Sequence, residues 1–221
     1  MNKDLIQKEY KKKIKLLNYY NQRYYNNNTS EIADSEYDYI KKDILDLEKK
    51  YKFLKSKSSP TLLTGYKPSK NFKKAPHKVP MLSLANAFDK DDLKNFEKKI
   101  LKFLSRNDNS NISYTAEPKI DGISASLTYI DGKLIKGLSR GDGKEGEDIT
   151  SNLATIEDIP KIVLSKDFPN EIDIRGEVFI QNSDFNILKN KFANPRNAAS
   201  GSLRQKNSED TKKIPLKFIA Y

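Results

Sequence analysis

Residues 117–139, EPKIDGISASLTYIDGKLIKGLS, decide the fold of the second half of the chain. Apolar and polar residues alternate in this stretch, as they do on strands that bury one face. Together with the residues just before them, they predict three strands, Ser113–Asp121, Ile123–Tyr129 and Lys133–Ser139. Asp131-Gly132 separates the last two strands and favours a tight hairpin turn. We therefore expect an antiparallel sheet.

Helical patterns flank this sheet. Helices are predicted over residues 3–27, from a start near Asp34 or Ser35 (both good N-caps) with apolar residues as far as Tyr51, after Asp89, and over Asp184–Lys191. The helix after Asp89 carries an apolar face made of Leu93, Phe96, Ile100 and Phe103. Two further strands are predicted over Glu171–Ile180 and Leu216–Tyr221.

Prolines and a glycine interrupt these patterns between residues 55 and 80: Pro60, Gly65, Pro68, Pro76 and Pro80. We therefore expect a helical hairpin over residues 1–54, a linker over residues 55–80 and a mixed domain over residues 81–221. The fold class predicted from these elements is α+β, with a mostly antiparallel sheet.

Composition excludes several classes of protein. Hydrophobic residues make up 36% of the 221 residues, the mean hydropathy is −0.78, and no apolar run approaches the roughly 18–20 residues of a membrane helix. The first residues lack the apolar core of a signal peptide, so we expect a cytoplasmic location without membrane association. The chain has no cysteine and a single histidine, His77, and we therefore expect neither disulfides nor a zinc site.

The charge of +11 comes from 41 Lys and Arg against 30 Asp and Glu. A basic surface suits a polyanionic partner such as nucleic acid or a nucleotide. A general bias toward lysine would produce the same charge without any partner, so charge alone leaves both explanations open.

Arginine and glycine are concentrated in one region of the chain. Only six of the cations are arginine, and four of them, Arg140, Arg175, Arg196 and Arg204, lie within residues 140–204. Eight of the nine glycines lie between Gly122 and Gly201. Because arginine offers a planar fork of donors that lysine lacks, this region is where we expect a site.

Lys119 stands between two carboxylates. On a strand, Glu117, Lys119 and Asp121 would share one face while Ile120 faces the core. An exposed strand with ordinary salt bridges would show the same pattern. Gly141-x-Gly143-x-x-Gly146 also matches the Rossmann fingerprint, but its acidic neighbours would repel a pyrophosphate and a hairpin precedes it, so we reject that site.

The sequence Lys119-x-Asp121-Gly122 resembles the nucleotidyltransferase motif of DNA ligases, RNA ligases and mRNA capping enzymes. Longer motifs accompany it: DSEYD at 34–38, VPMLSL at 79–84, SRGDGKEGEDITSN at 139–152, IRGEVF at 174–179 and FANPRNAASGSLRQ at 192–205. In this order they resemble the N-terminal part of NAD-dependent bacterial DNA ligases, from about residue 5 to residue 221. The resemblance implies a nucleotidyltransferase domain with an ATP-grasp-like ligase fold, truncated in its C-terminal half.

The resemblance also implies roles for individual residues. Lys119 would be the catalytic residue that accepts AMP from NAD. The nucleotide would be bound by Ser83, Leu84, Glu117, Asp121, Arg140, Glu177, Arg196, Arg204 and Tyr221. Glu117 would lie at the adenine, and Tyr221 would stack on it. The same residues also allow purely structural roles: an internal ion pair for Arg140 and Glu177, core packing for Ser83 and Leu84, and a frayed terminus for Tyr221.

In the family, the N-terminal hairpin caps the nicotinamide mononucleotide half of NAD. Tyr24, Tyr25, Asp34, Tyr37 and Asp38 occupy the matching positions, although the family usually has histidine where Tyr25 stands. The implied ligands and partners are NAD, Mg²⁺ and nicked double-stranded DNA in replication and repair.

Two alternatives stay open at this point. The chain could be a nucleotide- or nucleic-acid-binding module without activity, or an RNA ligase or capping-type nucleotidyltransferase, which would leave the hairpin around Asp34–Asp38 unexplained.

Overall fold

A computed structural model describes residues 3–27, 32–56, 59–62, 72–106 and 111–221. The chain divides into two compact units: Met1–Met81 with Ile120–Tyr221, and Leu82–Lys119. The larger unit contains helices and antiparallel strands, and the predicted α+β class is confirmed. Within the described residues, no helix has the length and apolar character needed to span a membrane.

The larger unit begins with a helical hairpin, α1 (Lys3–Asn27) and α2 (Asp34–Lys50). The helices pack through a buried cluster made of Ile6, Tyr10, Leu17, Ile44 and Leu54. Both predicted helices are therefore confirmed. The predicted N-cap is wrong: Ala33 occupies that position, and its backbone N–H donates to the Glu36 carboxylate at 3.3 Å. Helix α2 starts early because Glu36, at the third helical position, supplies the capping group.

A buried carboxylate joins the hairpin to the segment that follows it. Oε1 of Glu48 accepts hydrogen bonds from Tyr10 Oη and Ser59 Oγ, both at 2.7 Å, and Oε2 accepts one from Thr61 Oγ1 at 3.2 Å. Burial, and then the bond to Glu48, raises the pKa of the Tyr10 hydroxyl. These bonds hold the 3₁₀ turn Pro60–Leu62 against the helices.

The main sheet has four antiparallel strands in the order β3-β2-β5-β6. Their ranges are Ile123–Ile130 for β2, Lys133–Ser139 for β3, Glu171–Phe179 for β5 and Lys217–Ala220 for β6. Asp131 and Gly132 both have positive φ, 46° and 74°, as a type I′ hairpin turn requires. The predicted hairpin and the predicted strands near 171–180 and 216–221 are confirmed. Strand β6 pairs with β5 on one side.

Short helices cover one face of this sheet: α4 (Thr150–Leu153), α5 (Asn182–Phe185), α6 (Pro195–Leu203) and α7 (Ser208–Lys212). Side chains such as Leu127, Tyr129, Leu153, Val178 and Leu203 form the buried core between them. The predicted helix over Asp184–Lys191 is wrong beyond α5. The chain continues there in turns with i→i−3 bonds, such as Leu188 N–H to the Phe185 carbonyl at 2.8 Å. The side chains of Phe185 and Leu188 are both buried in the core.

A two-stranded sheet lies beside the main one. β1 (Lys74–Pro76), within the segment predicted as a linker, pairs antiparallel with β4 (Glu145–Glu147). The glycines Gly141 and Gly143, with φ of 57° and 92°, form the turn that leads from β3 into β4. The Rossmann fingerprint therefore lies in a strand–turn–strand arrangement, as its rejection predicted.

The smaller unit contains α3 (Lys90–Phe103), whose N-cap Asp89 accepts hydrogen bonds from the amides of Asp91 and Asp92 at 2.9 Å. The helix predicted after Asp89 is confirmed. Its predicted apolar face stays largely exposed, at 58% for Leu93, 51% for Phe96 and 88% for Phe103.

The strand predicted over Ser113–Asp121 is wrong, because this segment has an irregular backbone. A strand needs a neighbour that accepts and donates its backbone hydrogen bonds, and within the described residues no strand pairs with this segment. Ile120 is half-buried, and Glu117, Lys119 and Asp121 are exposed.

Candidate active site

Residues 120–122 lead directly into strand β2, which pairs with β5. The register of these strands places Ser124 opposite Glu177, and Ser124 Oγ donates to Glu177 Oε2 at 2.8 Å. A Cβ atom on Gly122 would lie 2.2 Å from the Val178 carbonyl oxygen and 3.0 Å from Cγ of Glu177. Gly122 therefore allows its backbone to lie directly against β5, and Glu177 is buried beside it.

Asp121, one residue earlier, forms an ion pair with Arg196. The distance from Arg196 Nη1 to Asp121 Oδ1 is 3.0 Å, with side-chain exposures of 32% and 59%. Arg196 is held at the start of α6, whose N-cap Asn194 accepts a hydrogen bond from the amide of Asn197 at 2.7 Å. An exposed pair of this kind contributes about 0–1 kcal/mol, so its main effect is to orient Asp121.

Arg140 lies at the start of the turn between β3 and β4. Its Nε donates to the Met81 carbonyl at 3.4 Å. Two residues later, Asp142 Oδ1 accepts hydrogen bonds from the amides of Lys144 and Glu145, both at 2.9 Å. These amides, that of Glu145 first, lower the pKa of Asp142 because they stabilise its ionised form.

The Arg204 side chain binds a carboxylate in the protein interior. Its Nε donates to Oε2 of the fully buried Glu147 at 2.9 Å, and its Nη1 donates to Ser200 Oγ at 3.0 Å. The amide of Glu147 in turn donates to Ser139 Oγ at 3.0 Å. Part of the Arg204 guanidinium therefore neutralises a buried carboxylate.

Tyr221 extends the line of β6, and its amide donates to the Arg175 carbonyl at 3.0 Å while its side chain is exposed. In the hairpin, Tyr37 Oη donates to Asn21 Oδ1 at 2.7 Å and packs on the hairpin core, and Asp38 is half-buried. The side chains of Tyr24, Tyr25 and Asp34 lie outside the described part of the structure.

Ser83, Leu84, Glu117 and Lys119 belong to the smaller unit, where all four are exposed. Lys119 is its last residue and directly precedes Ile120, where the larger unit resumes. Within the larger unit, the structure joins Asp121 to Arg196 and places Gly122 beside Glu177.

Sequence reasoning missed several residues that hold these groups, namely His77, Ser124 and Glu147. It placed Arg175 in the arginine-rich region but gave it no role. The sequence does mark two of these residues as unusual. His77 is the single histidine, and Arg175 is one of six arginines in a lysine-rich chain. Nothing in the sequence distinguishes Glu147 from its acidic neighbours.

Comparisons with known proteins identify the family. The family model of the NAD-dependent DNA ligase adenylation domain matches residues 69–221. That of the DNA ligase-like, N-terminal NAD⁺-binding domain matches residues 3–65. The chain therefore belongs to the NAD-dependent DNA ligase family, as the motifs predicted.

Similar proteins include three bacterial DNA ligases. That of Pelagibacter ubique is 67% identical over 221 residues, which is 100% of this chain and 33% of the relative. That of Parvibaculum lavamentivorans is 44% identical over 90% of this chain and 29% of the relative. That of Clostridioides difficile is 42% identical over 98% of this chain and 32% of the relative. The chain thus spans about a third of the length of these relatives.

Proposed function

We propose that this chain provides the adenylation step of an NAD-dependent DNA ligase, with Lys119 as the residue that accepts AMP. The observation that carries the proposal is the pairing of β2 with β5. This pairing sets Gly122, three residues after Lys119 in the chain, against β5 beside the buried Glu177. A nucleophile three residues before such an anchored backbone position suits a reaction that depends on positioning.

The proposed reaction is a substitution at phosphorus. The neutral Lys119 amine donates its electron pair to the adenylyl phosphorus of NAD, and a P–N bond forms. The bond from this phosphorus to the bridging oxygen breaks, and nicotinamide mononucleotide leaves with the electron pair. The attacking nitrogen loses a proton. A nicked DNA 5′-phosphate would then take up the AMP, and a 3′-hydroxyl would displace it to seal the strand.

The remaining roles follow from the chemistry of the side chains. The carboxylates of Asp121 and Glu177 accept hydrogen bonds of the kind that ribose hydroxyls donate, and the Arg140 guanidinium suits a phosphate. Arg196 and Arg204 would add positive charge near the nucleotide or DNA phosphates. Ser83, Leu84, Glu117 and Tyr221 would line the adenosine half. Tyr24, Tyr25, Asp34, Tyr37 and Asp38 would contact the nicotinamide mononucleotide half.

Mg²⁺ is implied by the family resemblance. Within the described residues, no group of three or more metal-ligating side chains converges on one point. We therefore assign no residue to a metal ion and place no step on one. Roles in DNA replication and repair in the cytoplasm are part of the same proposal.

The test is transfer of radiolabelled AMP from NAD to the protein. We expect weak or no labelling of the 221-residue chain alone. We expect strong labelling of a fusion that joins it to the remaining two thirds of the Pelagibacter ubique relative. In this fusion, Lys119→Arg should reduce labelling by at least about 1,000-fold, because a guanidinium stays protonated and is not a nucleophile.

The matched control is Lys133→Arg, which changes an exposed lysine on β3 and should leave labelling intact. Labelling that persists in Lys119→Arg would disprove the assigned nucleophile. Labelling by ATP in place of NAD would overturn the nucleotide assignment. An unlabelled fusion would favour a binding module without activity.

A further inference from the structure

Residues 77–81, which we call the 77–81 segment, lie against the turn at residues 140–146. Two backbone hydrogen bonds join them: His77 N–H to the Lys144 carbonyl and Met81 N–H to the Gly143 carbonyl, both at 2.8 Å. A Cβ on Gly143 would lie 2.7 Å from the Met81 carbonyl oxygen. The two backbones are therefore in direct contact, and this contact requires glycine at position 143.

The 77–81 segment is also anchored to the main sheet. Arg175 on β5 donates from Nη1 to the Pro80 carbonyl at 3.2 Å and from Nη2 to the Val79 carbonyl. A guanidinium that binds two successive carbonyls holds the backbone more firmly than a single donor could. The 77–81 segment is thus a fixed support for the turn.

Arg140 contacts this support at two points. Its backbone carbonyl accepts a hydrogen bond from His77 Nε2 at 3.1 Å, and its side-chain Nε donates to the Met81 carbonyl at 3.4 Å. A Cβ on Gly146 would lie 3.0 Å from His77 Nε2, so glycine leaves room for the imidazole. His77 and Met81 therefore fix the main chain and the side chain of the same arginine.

We propose that His77 is a positioning residue that directs the Arg140 guanidinium, through the Arg140 carbonyl, toward the adenylyl group. This inference rests on the proposed function, in which Arg140 faces the nucleotide. A carbonyl only accepts, so the histidine must donate from Nε2, and both the neutral Nε2–H tautomer and the imidazolium can do so. Without this donor the first peptide of the turn can rotate, and the guanidinium loses its direction.

The test compares two substitutions of similar length in the fusion protein described above. His77→Gln keeps an amide donor near the position of Nε2, whereas His77→Met has none. The rate of AMP transfer is measured against NAD concentration, so that kcat and KM are separated. We expect His77→Met to lower kcat/KM about five- to tenfold, the usual effect of one lost hydrogen bond, and His77→Gln to stay within about threefold of the original protein.

A double-mutant cycle with Arg140→Ala distinguishes positioning from general stability. If His77 acts through Arg140, His77→Met should cost less than about twofold in the Arg140→Ala background. Thermal unfolding of every variant shows whether it folds. If His77→Met does not fold, His77→Asn replaces it, because the asparagine amide is too short to reach the Arg140 carbonyl.

Two results would overturn the inference while leaving the proposed function intact. One is an equal loss in His77→Gln and His77→Met, and the other is a full loss from His77→Met when Arg140 is already alanine. Failure of the proposed function itself would give a different result. In that case either the unsubstituted fusion would remain unlabelled, or the Lys119→Arg fusion would still become labelled with AMP.

Discussion

Gly122 shows how one missing side chain sets the geometry next to Lys119. A Cβ there would meet the Val178 carbonyl oxygen at 2.2 Å, and a backbone atom of a paired strand cannot easily move. We expect Gly122→Ala to lower the free energy of unfolding by about 1–3 kcal/mol, as overpacking does, because β2 must shift away from β5. Urea unfolding followed by circular dichroism measures the change.

Gly201→Ala is the matched control for this substitution. Gly201 lies inside α6, where the nearest atom to a new Cβ is the edge of the Phe192 side chain at 3.0 Å. A side chain can give way, and alanine favours a helix interior by about 1 kcal/mol over glycine, so the net change should be smaller. Equal losses at both positions would contradict the close approach at Gly122.

Arginine was the most informative residue type in the sequence. For two of the four arginines of the 140–204 region, the structure shows two donors of the guanidinium in use. Arg175 binds two carbonyls, and Arg204 binds Glu147 and Ser200. Except for Ser200, four positions from Arg204, these partners could not be predicted, because they lie 57 to 96 positions away in the chain.

At the scale of elements, the Glu48 carboxylate determines where the first hairpin ends. Glu48→Ala would leave the hydroxyls of Tyr10, Ser59 and Thr61 without their buried acceptor. We expect a loss of about 2–4 kcal/mol in the free energy of unfolding, the usual range for a broken buried network. Chemical denaturation monitored by tyrosine fluorescence gives the value.

The exposed Glu9 on α1 offers a control of the same residue type. Glu9→Ala should change the stability by no more than about 0.5 kcal/mol, as is usual for surface positions. If Glu48→Ala proved equally mild, the carboxylate would not be the element that holds the 3₁₀ turn to the hairpin.

Two elements were predicted wrongly from their periodicity. The Ser113–Asp121 segment alternates like a strand, and Asp184–Lys191 has apolar residues at helical spacing, yet neither forms the predicted element in full. A periodic pattern shows which side chains could share a face, but a strand also needs a paired neighbour. After α5 the chain buries Phe185 and Leu188 through turns with i→i−3 bonds and not through a regular helix. Periodicity alone does not show which backbone hydrogen bonds a segment will make.

At the scale of the whole molecule, the two units differ in how much apolar surface they bury. Helix α3 has 14 residues, of which only Leu101 is buried. A helix of this length is marginal without packing, so its amides should exchange with solvent at least about 100-fold faster than those of β2. Hydrogen–deuterium exchange with peptide-level mass spectrometry measures this ratio.

Helix α1 is the internal reference for this experiment. It is also helical, but it packs against α2 through the hairpin core, and we expect its central amides to be protected. Equal protection of α3 and α1 would show that packing does not explain the difference, and the expectation for α3 would be wrong.

The family, the α+β class and the hairpin turn at Asp131-Gly132 were determined by the sequence, because motifs, periodicity and turn chemistry are local properties of the chain. Only the tertiary structure decided that His77 lies against Arg140, that Glu147 binds Arg204 and that Gly122 lies against β5. These contacts join residues far apart in the chain. They depend on strand register and close packing, which no local pattern encodes.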